Sequence, residues 1–248
     1  MKNTTCILIG RPEPAASRLA ARVRAAGLDP LLAPAFRLAG PASPRETATR
    51  LRSLLPVNWI VLPSPAAVTH TLQLVDIGAL RSCRVLVPGP GTARVARDSG
   101  LDRIHAPARD FTTEAMLELE ALQHVSGQKV LICAASGGRQ TLGRRLARRG
   151  AQVERLEVYR RIPLDLPEPI RTRLPGCHRL VIVASSGAIL ARLVGNLEQV
   201  EGTPAARALW LVPSPRVQVQ AKELGLKRIQ VVPGMDHEAV VEAAAQVR

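Results

Sequence analysis

Short apolar runs alternate along the chain with segments whose apolar residues recur at helical spacing. In the first such unit, the run Cys6-Ile-Leu-Ile precedes a turn at Gly10-Arg11-Pro12 and a helical pattern through 15–26. Gly27 stands where helix C-termini favour glycine, and Leu31-Leu32 begins another apolar run. Strands that alternate with helices are typical of α/β proteins with parallel sheets, so we expect that fold class here.

The chain contains two kinds of unit, and each occurs twice. Residues 5–33 (repeat A) recur in pattern as residues 129–158 (repeat A′). A second pattern, in which an apolar strand leads into Pro63-Ser64-Pro65 (repeat B), recurs where another leads into Ser185-Ser186-Gly187 (repeat B′). The order A, B, A′, B′ along most of the chain predicts two similar α/β domains.

Two pairings of these repeats fit the pattern equally well. Either A joins B and A′ joins B′, or A joins B′ while B joins A′. The second pairing makes one domain discontinuous and requires two crossings, near Pro34–Pro44 and Tyr159–Pro169. Both stretches contain several prolines, as domain boundaries often do, but periodicity alone does not decide between the pairings.

Small, hydroxyl-bearing and basic residues follow the predicted strands. Ligands of open parallel sheets bind outside the carboxyl ends of the strands, and helix N-termini accept anions there. Each serine is equally compatible with an ordinary helix cap. On two facing domains, these ends would form a cleft for a ligand with several carboxylates or phosphates. The segments are Gly10-Arg11-Pro12, Pro63-Ser64-Pro65, Gly89-Pro-Gly-Thr92, Ser136-Gly-Gly-Arg139, Ser185-Ser186-Gly187 and Ser214-Pro-Arg216.

The charge raises the question of nucleic acid. The 248 residues carry 34 Lys and Arg against 20 Asp and Glu, a formal net charge of +14. Aromatic residues make up only 2% of the chain, too few for the stacking surface that single-strand binders use. A groove-reading protein and an enzyme with a polyanionic substrate both remain compatible with this composition.

Several other classes are disfavoured. No apolar run approaches the roughly 18 residues of a membrane span, and the first run is shorter than a signal-peptide core, so we expect a cytoplasmic protein. The four cysteines lie far apart without metal-ligand spacing, which indicates buried thiols and no metal. The chain has no dinucleotide-binding glycine motif, no P-loop and no hydrolase nucleophile elbow.

Tyr159 is the only tyrosine, and it precedes Arg160 and Arg161. Two adjacent guanidinium groups favour an ionised or strongly hydrogen-bonded phenol, which makes Tyr159 an acid/base candidate. The alternative is an amphipathic packing residue. We interpret the five scattered histidines as solvated or loop residues rather than general bases.

Six short motifs follow one another along the chain. They are Ile-Leu-Ile-Gly-Arg11-Pro12-Glu13-Pro, Pro88-Gly89-Pro-Gly-Thr92-Ala93, Phe111-Thr-Thr-Glu114-Ala-Met-Leu117, Gly-Gly-Arg139…Leu142…Leu146…Arg-Gly150, Glu157-Val-Tyr159-Arg-Arg and Val-Pro-Ser214-Pro-Arg216-Val. These motifs resemble the uroporphyrinogen-III synthase family, particularly its proteobacterial branch. The similarity runs from about residue 6 to the C-terminus, and the order and spacing of the motifs make it specific.

The resemblance implies two flavodoxin-like parallel-sheet domains joined by a two-stranded linker, with repeat A joined to B′. Residues 1–36 and 165–248 would form the discontinuous domain, and residues 37–164 the other. The implied reaction converts hydroxymethylbilane to uroporphyrinogen III in haem biosynthesis, with loss of water and inversion of ring D through a spiro intermediate. It implies no cofactor, metal, nucleic acid or membrane, and a monomer that could receive its substrate from hydroxymethylbilane synthase.

The resemblance also implies a catalytic role for Tyr159 and a set of substrate-binding residues. The chain departs from the family at Ala134-Ala135-Ser136, where an Arg-Gly pair is usual, so one basic contact is missing. A non-catalytic two-domain protein that binds a polyanionic small ligand is the alternative, and a nucleic-acid binder is a third hypothesis. The binding residues are Arg11, Ser64, Thr92, Gly138, Arg139, Ser185, Ser186, Ser214 and Arg216.

Overall fold

The structure is a computed structural model, and it describes residues 5–109, 111–138 and 140–246. The chain divides into two compact units: unit 1 takes the described residues up to Arg37 and from Ile162 onward, and unit 2 takes Leu38–Arg161. The sequence-based division was residues 1–36 with 165–248, and 37–164. Both units contain parallel sheets with helices, which confirms the predicted α/β class.

Strands and helices alternate through most of the described chain. The strands are β1 Thr5–Ile9, β2 Asp29–Leu32, β3 Phe36–Ala39, β4 Trp59–Val61, β5 Arg84–Leu86, β6 Ile104–His105, β7 Lys129–Ala135, β8 Gln152–Pro163, β9 Arg179–Val183, β10 Leu209–Val212 and β11 Ile229–Val231. The α-helices are α1 Ala15–Ala25, α2 Pro44–Leu54, α3 Pro65–Leu72, α4 Pro90–Asp98, α5 Thr113–Leu117, α6 Thr141–Arg148, α7 Glu168–Arg173, α8 Gly187–Glu198, α9 Pro215–Glu223 and α10 His237–Ala245.

Unit 1 contains a five-stranded sheet in the order β11-β10-β9-β1-β2, with every neighbouring pair parallel. Counted within the unit, this is the flavodoxin-like order 2-1-3-4-5. Repeat A therefore joins repeat B′, and the discontinuous arrangement is confirmed. Cys6 and Leu8 pack into one core cluster, and Ile7 and Ile9 pack into the cluster on the other face. Because both faces are covered, the strand reads as a continuous apolar run.

Unit 2 contains a six-stranded sheet in the order β3-β8-β7-β4-β5-β6. From β8 to β6 the spatial order matches that of unit 1, but the two halves occur in the opposite order along the chain. Strand β3 adds at the outer side of β8. The two crossings between units, after Arg37 and after Arg161, fall within β3 and β8, so the linker is two-stranded as expected.

Some arginine side chains have a structural role, and two of them have it at corresponding places of the two units. A guanidinium nitrogen of Arg103 donates to the carbonyl of Ser82 at 2.8 Å, and Arg228 donates to Arg207 at 3.0 Å in the corresponding place of unit 1. Arg149 donates to the carbonyls of Leu117 and Leu122 at 2.7 and 3.0 Å. These guanidinium groups bind backbone carbonyls at turns and helix ends. Part of the net positive charge therefore has a structural role and is no evidence for an anionic ligand.

The cysteines differ from the expectation of four thiols. A disulfide joins Cys6 of β1 to Cys177, which lies 171 residues later and just ahead of β9. Cys83 and Cys133 are free and buried, and burial raises the pKa of the Cys133 thiol to about 12. The pairing was not visible in the sequence because it depends on β1 and β9 being neighbours in the sheet.

Candidate functional site

The sheet of unit 2 reverses its direction of winding between β7 and β4. From β4 the chain continues outward to β5 and β6, whereas from β7 it continues to β8 on the other side. Ligands of open α/β sheets bind outside the carboxyl ends of the strands at such a switch point. Residues 62–64 and residues 136–138 leave the sheet there.

Ser64 connects strand β4 to helix α3. Its backbone is extended, with φ −164° and ψ 160°, and its Oγ accepts a hydrogen bond from the backbone N–H of Ala67 at 3.1 Å. Pro65 occupies the first helical position, where its missing N–H is no loss. The helix cap thus fixes the Ser64 hydroxyl at the carboxyl end of the sheet.

Tyr159 reaches that hydroxyl from strand β8. Its Oη lies 3.2 Å from Ser64 Oγ, within hydrogen-bond distance, and the side chain is only 7% exposed. The expected repeat A′ strand ended at Val158, whereas β8 continues to Pro163. Tyr159 therefore lies within a strand, opposite Ala135 at the end of β7.

A β-bulge directs this side chain. Ala134 pairs with Glu157 but Ala135 pairs with Tyr159, so Val158 is the extra residue in the ladder. Successive side chains of a regular strand point to opposite faces, yet Val158 and Tyr159 are both buried in the same core cluster. Bulges re-aim side chains in this way. The bulge accounts for how Tyr159 shares a face with its neighbour.

His70, in the second turn of α3, lies against Tyr159. The two ring centroids are 5.3 Å apart and the ring planes differ by 12°, a stacked arrangement. The sequence interpretation of the histidines missed this residue. The sequence does contain a signal for it in the comparison of repeats B and B′. His70 lies six residues after Ser64, and Arg192, which also carries side-chain nitrogens, lies six residues after Ser186.

The loop after β7 is held by two side chains of β8. Gly137 adopts φ +66°, and its N–H donates to a Glu157 carboxylate oxygen at 3.2 Å. The Arg155 guanidinium donates to the carbonyl of Ala135 at 2.7 Å, and a Cβ added to Gly138 would lie 2.7 Å from it. Where this chain has Ala134-Ala135 in place of the usual Arg-Gly pair, Arg155 of the neighbouring strand thus supplies a guanidinium group. Arg139 lies outside the described residues.

Thr92 occupies the first turn of α4, the helix that follows β5. It is 5% exposed, and α4 packs against α3. Gly89 caps α4 and lies so close to Phe111 that an added Cβ would be 2.6 Å from that ring. Thr92 therefore lies one strand outward from Ser64, with its helix N-terminus at the same edge of the sheet.

Unit 1 presents a corresponding set of strand ends. Ser186 caps α8 by accepting from the N–H of Ile189 at 3.3 Å, and Ser214 precedes α9. The backbone angles of Ser64, Ser186 and Ser214 agree within 1° in both φ and ψ. Ser186, rather than Ser185, is therefore the counterpart of Ser64 as a helix cap. Arg216 is exposed in the first turn of α9.

Arg11 lies inside unit 1, only 7% exposed. Its guanidinium donates to the carbonyl of Met235, while its Nε is buried without a hydrogen-bond partner. Burial lowers the pKa of Arg11 to about 10, and the nearby Asp236 carboxylate opposes that shift. Burial also lowers the pKa of His237, with a further contribution from Arg11. Arg11 remains a cation at neutral pH, within the segment between β1 and α1.

Within unit 2 the structure brings Tyr159 and Ser64 into direct contact and adds His70. Thr92 and Gly138 lie on adjacent elements of the same sheet edge, while Arg11, Ser185, Ser186, Ser214 and Arg216 belong to unit 1. Across residues 5–109, 111–138 and 140–246, no three His, Cys, Asp or Glu side chains cluster as metal ligands do. In that same part of the chain, no helix has the length and apolarity to cross a membrane.

A family model described as uroporphyrinogen-III synthase HemD matches residues 17–242. A uroporphyrinogen-III synthase of Salmonella typhimurium is 32% identical over 245 residues, which cover 96% of this chain and 98% of that protein. The chain belongs to the uroporphyrinogen-III synthase family. Its relative from Escherichia coli is 28% identical over 248 residues, with 96% and 98% of the two chains covered.

Solved structures from the uroporphyrinogen-III synthase family share the fold at lower identity. The Helicobacter pylori structure has a TM-score of 0.65 at 14% identity and covers 99% of this chain and 100% of its own. A mutant of the Thermus thermophilus enzyme has a TM-score of 0.63 at 18% identity, covering 98% and 99%. These likenesses support the α/β architecture throughout the chain.

Proposed function

We propose that this chain catalyses the uroporphyrinogen-III synthase reaction, the conversion of hydroxymethylbilane to uroporphyrinogen III in haem biosynthesis, with Tyr159 as the catalytic residue. The contact between Tyr159 Oη and Ser64 Oγ, 3.2 Å at the switch point of unit 2, supports this assignment most directly. Tyr159 is the only tyrosine in the chain, so no other phenol can take this role.

In the first step Tyr159 protonates the hydroxyl of the terminal hydroxymethyl group, which leaves as water. The products are a phenolate and an electrophilic azafulvenium carbon. Ser64 donates a hydrogen bond from its hydroxyl to the phenolate and so stabilises it, because a phenolate oxygen accepts hydrogen bonds strongly. General acid assistance of this kind contributes roughly 10²–10⁴-fold in rate.

In the second step the substituted carbon of ring D attacks the azafulvenium carbon and forms the spiro intermediate. One carbon–carbon bond of that intermediate breaks, and the ring recloses with ring D inverted. The proton lost from the final pyrrole carbon returns to the Tyr159 phenolate. The only net loss is one water, so the reaction needs no oxidant or reductant.

The substrate's eight carboxylates are bound, in this proposal, by the strand ends of each unit. Free N–H groups at the starts of α3, α4, α8 and α9 suit carboxylates because helix N-termini carry partial positive charge. Exposed Arg216 and the hydroxyls of Ser185, Ser186, Ser214 and Thr92 add donors. In the segment after β7, Arg139 and the Gly138 backbone would bind a carboxylate. Arg11 contributes as a buried cation of the segment between β1 and α1.

The reactivity of the substrate bears on how it reaches this chain. Hydroxymethylbilane closes without help to the type I isomer, so direct transfer from hydroxymethylbilane synthase would limit that loss. We therefore propose that the chain receives its substrate from that enzyme. We also propose that it acts in the cytoplasm as a monomer, as expected from the sequence and from the family resemblance. A nucleic-acid role is not part of this proposal, because the carbonyl contacts of Arg103, Arg149 and Arg228 account for part of the basic charge.

The test supplies hydroxymethylbilane in situ with hydroxymethylbilane synthase and separates the uroporphyrin isomers after oxidation. The chain should give predominantly type III product, whereas the mixture without it gives type I. The Tyr159→Phe variant should fold normally and form type III at a rate lower by roughly 10²-fold. Type I product alone at high protein concentration would contradict the proposed activity, and an unchanged rate for Tyr159→Phe would remove only the role of Tyr159.

A further inference from the structure

Helix α3 contacts Tyr159 at two points. Its cap, Ser64, meets the phenol oxygen at 3.2 Å, and His70 stacks on the ring with centroids 5.3 Å apart. The first contact fixes where the hydroxyl lies, and the second restricts the plane of the ring. Both come from a single rigid element, so the helix holds the phenol by its edge and by its face.

His70 contacts Tyr159 through its ring and not through a hydrogen bond of Nδ1. The Nδ1 of His70 is buried and has no hydrogen-bond partner in the structure. A flat apolar ring could therefore make the same contact, and it would avoid the cost of burying a polar nitrogen without a partner. The neighbouring Ala67, Val68 and Thr71 on the inner face of α3 are fully buried, whereas His70 lies only half-buried at the margin beside Tyr159.

We propose that His70 is a positioning residue for Tyr159: its imidazole holds the phenol plane in place while Ser64 holds the hydroxyl. This inference rests on the proposed function, in which Tyr159 gives up a proton early and takes one back at the end. The oxygen must therefore keep its place while the substrate rearranges. A side chain with one hydrogen bond retains rotational freedom that a stacked ring removes, and small misplacements of a catalytic group can lower rates by 10²-fold.

The test compares His70→Ala, which removes the stacked ring, with His70→Phe, which keeps a flat ring and removes both nitrogens. We expect His70→Ala to lower kcat for type III formation by about 10- to 100-fold with little change in KM. His70→Phe should recover most of that loss. The product of His70→Ala should also contain more type I isomer, because uncatalysed closure then competes.

Thr69→Ala is the matched control, because Thr69 is the preceding residue of the same helix and its side chain is exposed. It should leave kcat and the isomer ratio unchanged. The double variant His70→Ala/Tyr159→Phe should be no slower than Tyr159→Phe alone, since His70 acts through the tyrosine. Thermal unfolding of each variant shows whether a lower kcat comes from loss of the folded structure or from misplacement of the Tyr159 ring.

A direct readout uses the single tyrosine. Protein labelled on its tyrosine ring gives NMR signals from Tyr159 alone, and the stacked imidazole shifts them through its ring current. The shift should be lost in His70→Ala and largely kept in His70→Phe. Wild-type kcat in His70→Ala, or a His70→Phe variant as slow as His70→Ala, would overturn the inference. A wild-type chain that forms no type III product would instead overturn the proposed function.

Discussion

The repeated architecture provides a matched test of the contact between Ser64 and Tyr159. Ser64 and Ser186 have the same backbone conformation, and each caps a helix through its hydroxyl, with distances of 3.1 and 3.3 Å to the capped N–H. Among the described residues, Ser64 has a second partner, the Tyr159 hydroxyl at 3.2 Å, whereas Ser186 has none. Replacing each serine by alanine therefore removes the same cap from both units and the tyrosine contact from unit 2 alone.

The expected magnitudes follow from these contacts. Loss of a serine cap costs about 1 kcal/mol. Loss of the hydrogen bond to the buried phenol adds about 1 kcal/mol, since the hydroxyl is then left without that partner. We therefore expect Ser186→Ala to lower the free energy of unfolding of unit 1 by about 1 kcal/mol. Ser64→Ala should lower that of unit 2 by about 2 kcal/mol.

The assay is urea unfolding, followed by circular dichroism for both units and by the fluorescence of Trp59 in unit 2 and Trp210 in unit 1, since both tryptophans remain in every variant, including Tyr159→Phe. A double-mutant cycle of Ser64→Ala with Tyr159→Phe isolates the shared contact and should give a coupling of about 1 kcal/mol. The kcat of Ser64→Ala should fall about tenfold, which corresponds to loss of one such interaction in the transition state. Equal losses for the two alanine variants, together with a coupling near zero, would refute the reasoning.

Two further predictions concern packing and pH. Gly10→Ala should destabilise unit 1 by about 1–3 kcal/mol, because the added Cβ would lie 2.5 Å from Leu193 and 2.8 Å from Ile189. The control is Gly195→Ala, on helix α8, which also carries Leu193 and Ile189. Nothing lies within 4 Å of the Cβ added at Gly195, so this variant should instead stabilise unit 1 by up to about 1 kcal/mol in the same urea assay. Because burial raises the pKa of Cys133 from 9.0 to about 12, its contribution to stability is complete below pH 9 and disappears as the pH rises towards 12. Urea unfolding of wild type and Cys133→Ala across that range should show a larger loss for wild type, and parallel curves would contradict it.

Local elements were readable from the sequence because short-range patterns determine them. The run Cys6-Ile-Leu-Ile lies within β1, and the helix expected over 15–26 is α1 Ala15–Ala25. In repeat A′, α6 Thr141–Arg148 takes the place that α1 has in repeat A, as the recurring pattern predicts. Apolar spacing, a turn and a terminal glycine are all contained in each segment, so no distant contact is needed to predict them.

Features that depend on pairing between distant segments were not readable. The bulge at Val158 appears only in the register with β7, because adjacent apolar residues such as Val158 and Tyr159 also occur in regular strands that are buried on both faces. The stacking of His70 on Tyr159 joins residues 89 positions apart (159 − 70), on a helix and a strand that are not consecutive. The choice between the two repeat pairings likewise required the order of strands in the sheet.

The two units show how a duplicated framework becomes chemically unequal. Both have a strand, an extended serine and a capped helix at the switch point, so the cap itself carries no chemistry. In unit 1 the strand corresponding to β8 is β2, which ends at Leu32, level with Ile9 of β1. In unit 2, β8 continues beyond the end of β7, and its bulge directs Tyr159 to the serine. Strand β7 is also longer than its counterpart, with seven residues against five in β1. The difference between a helix cap and a candidate catalytic pair is therefore a lengthened pair of strands with one extra residue in β8, which places the proposed proton transfer in unit 2.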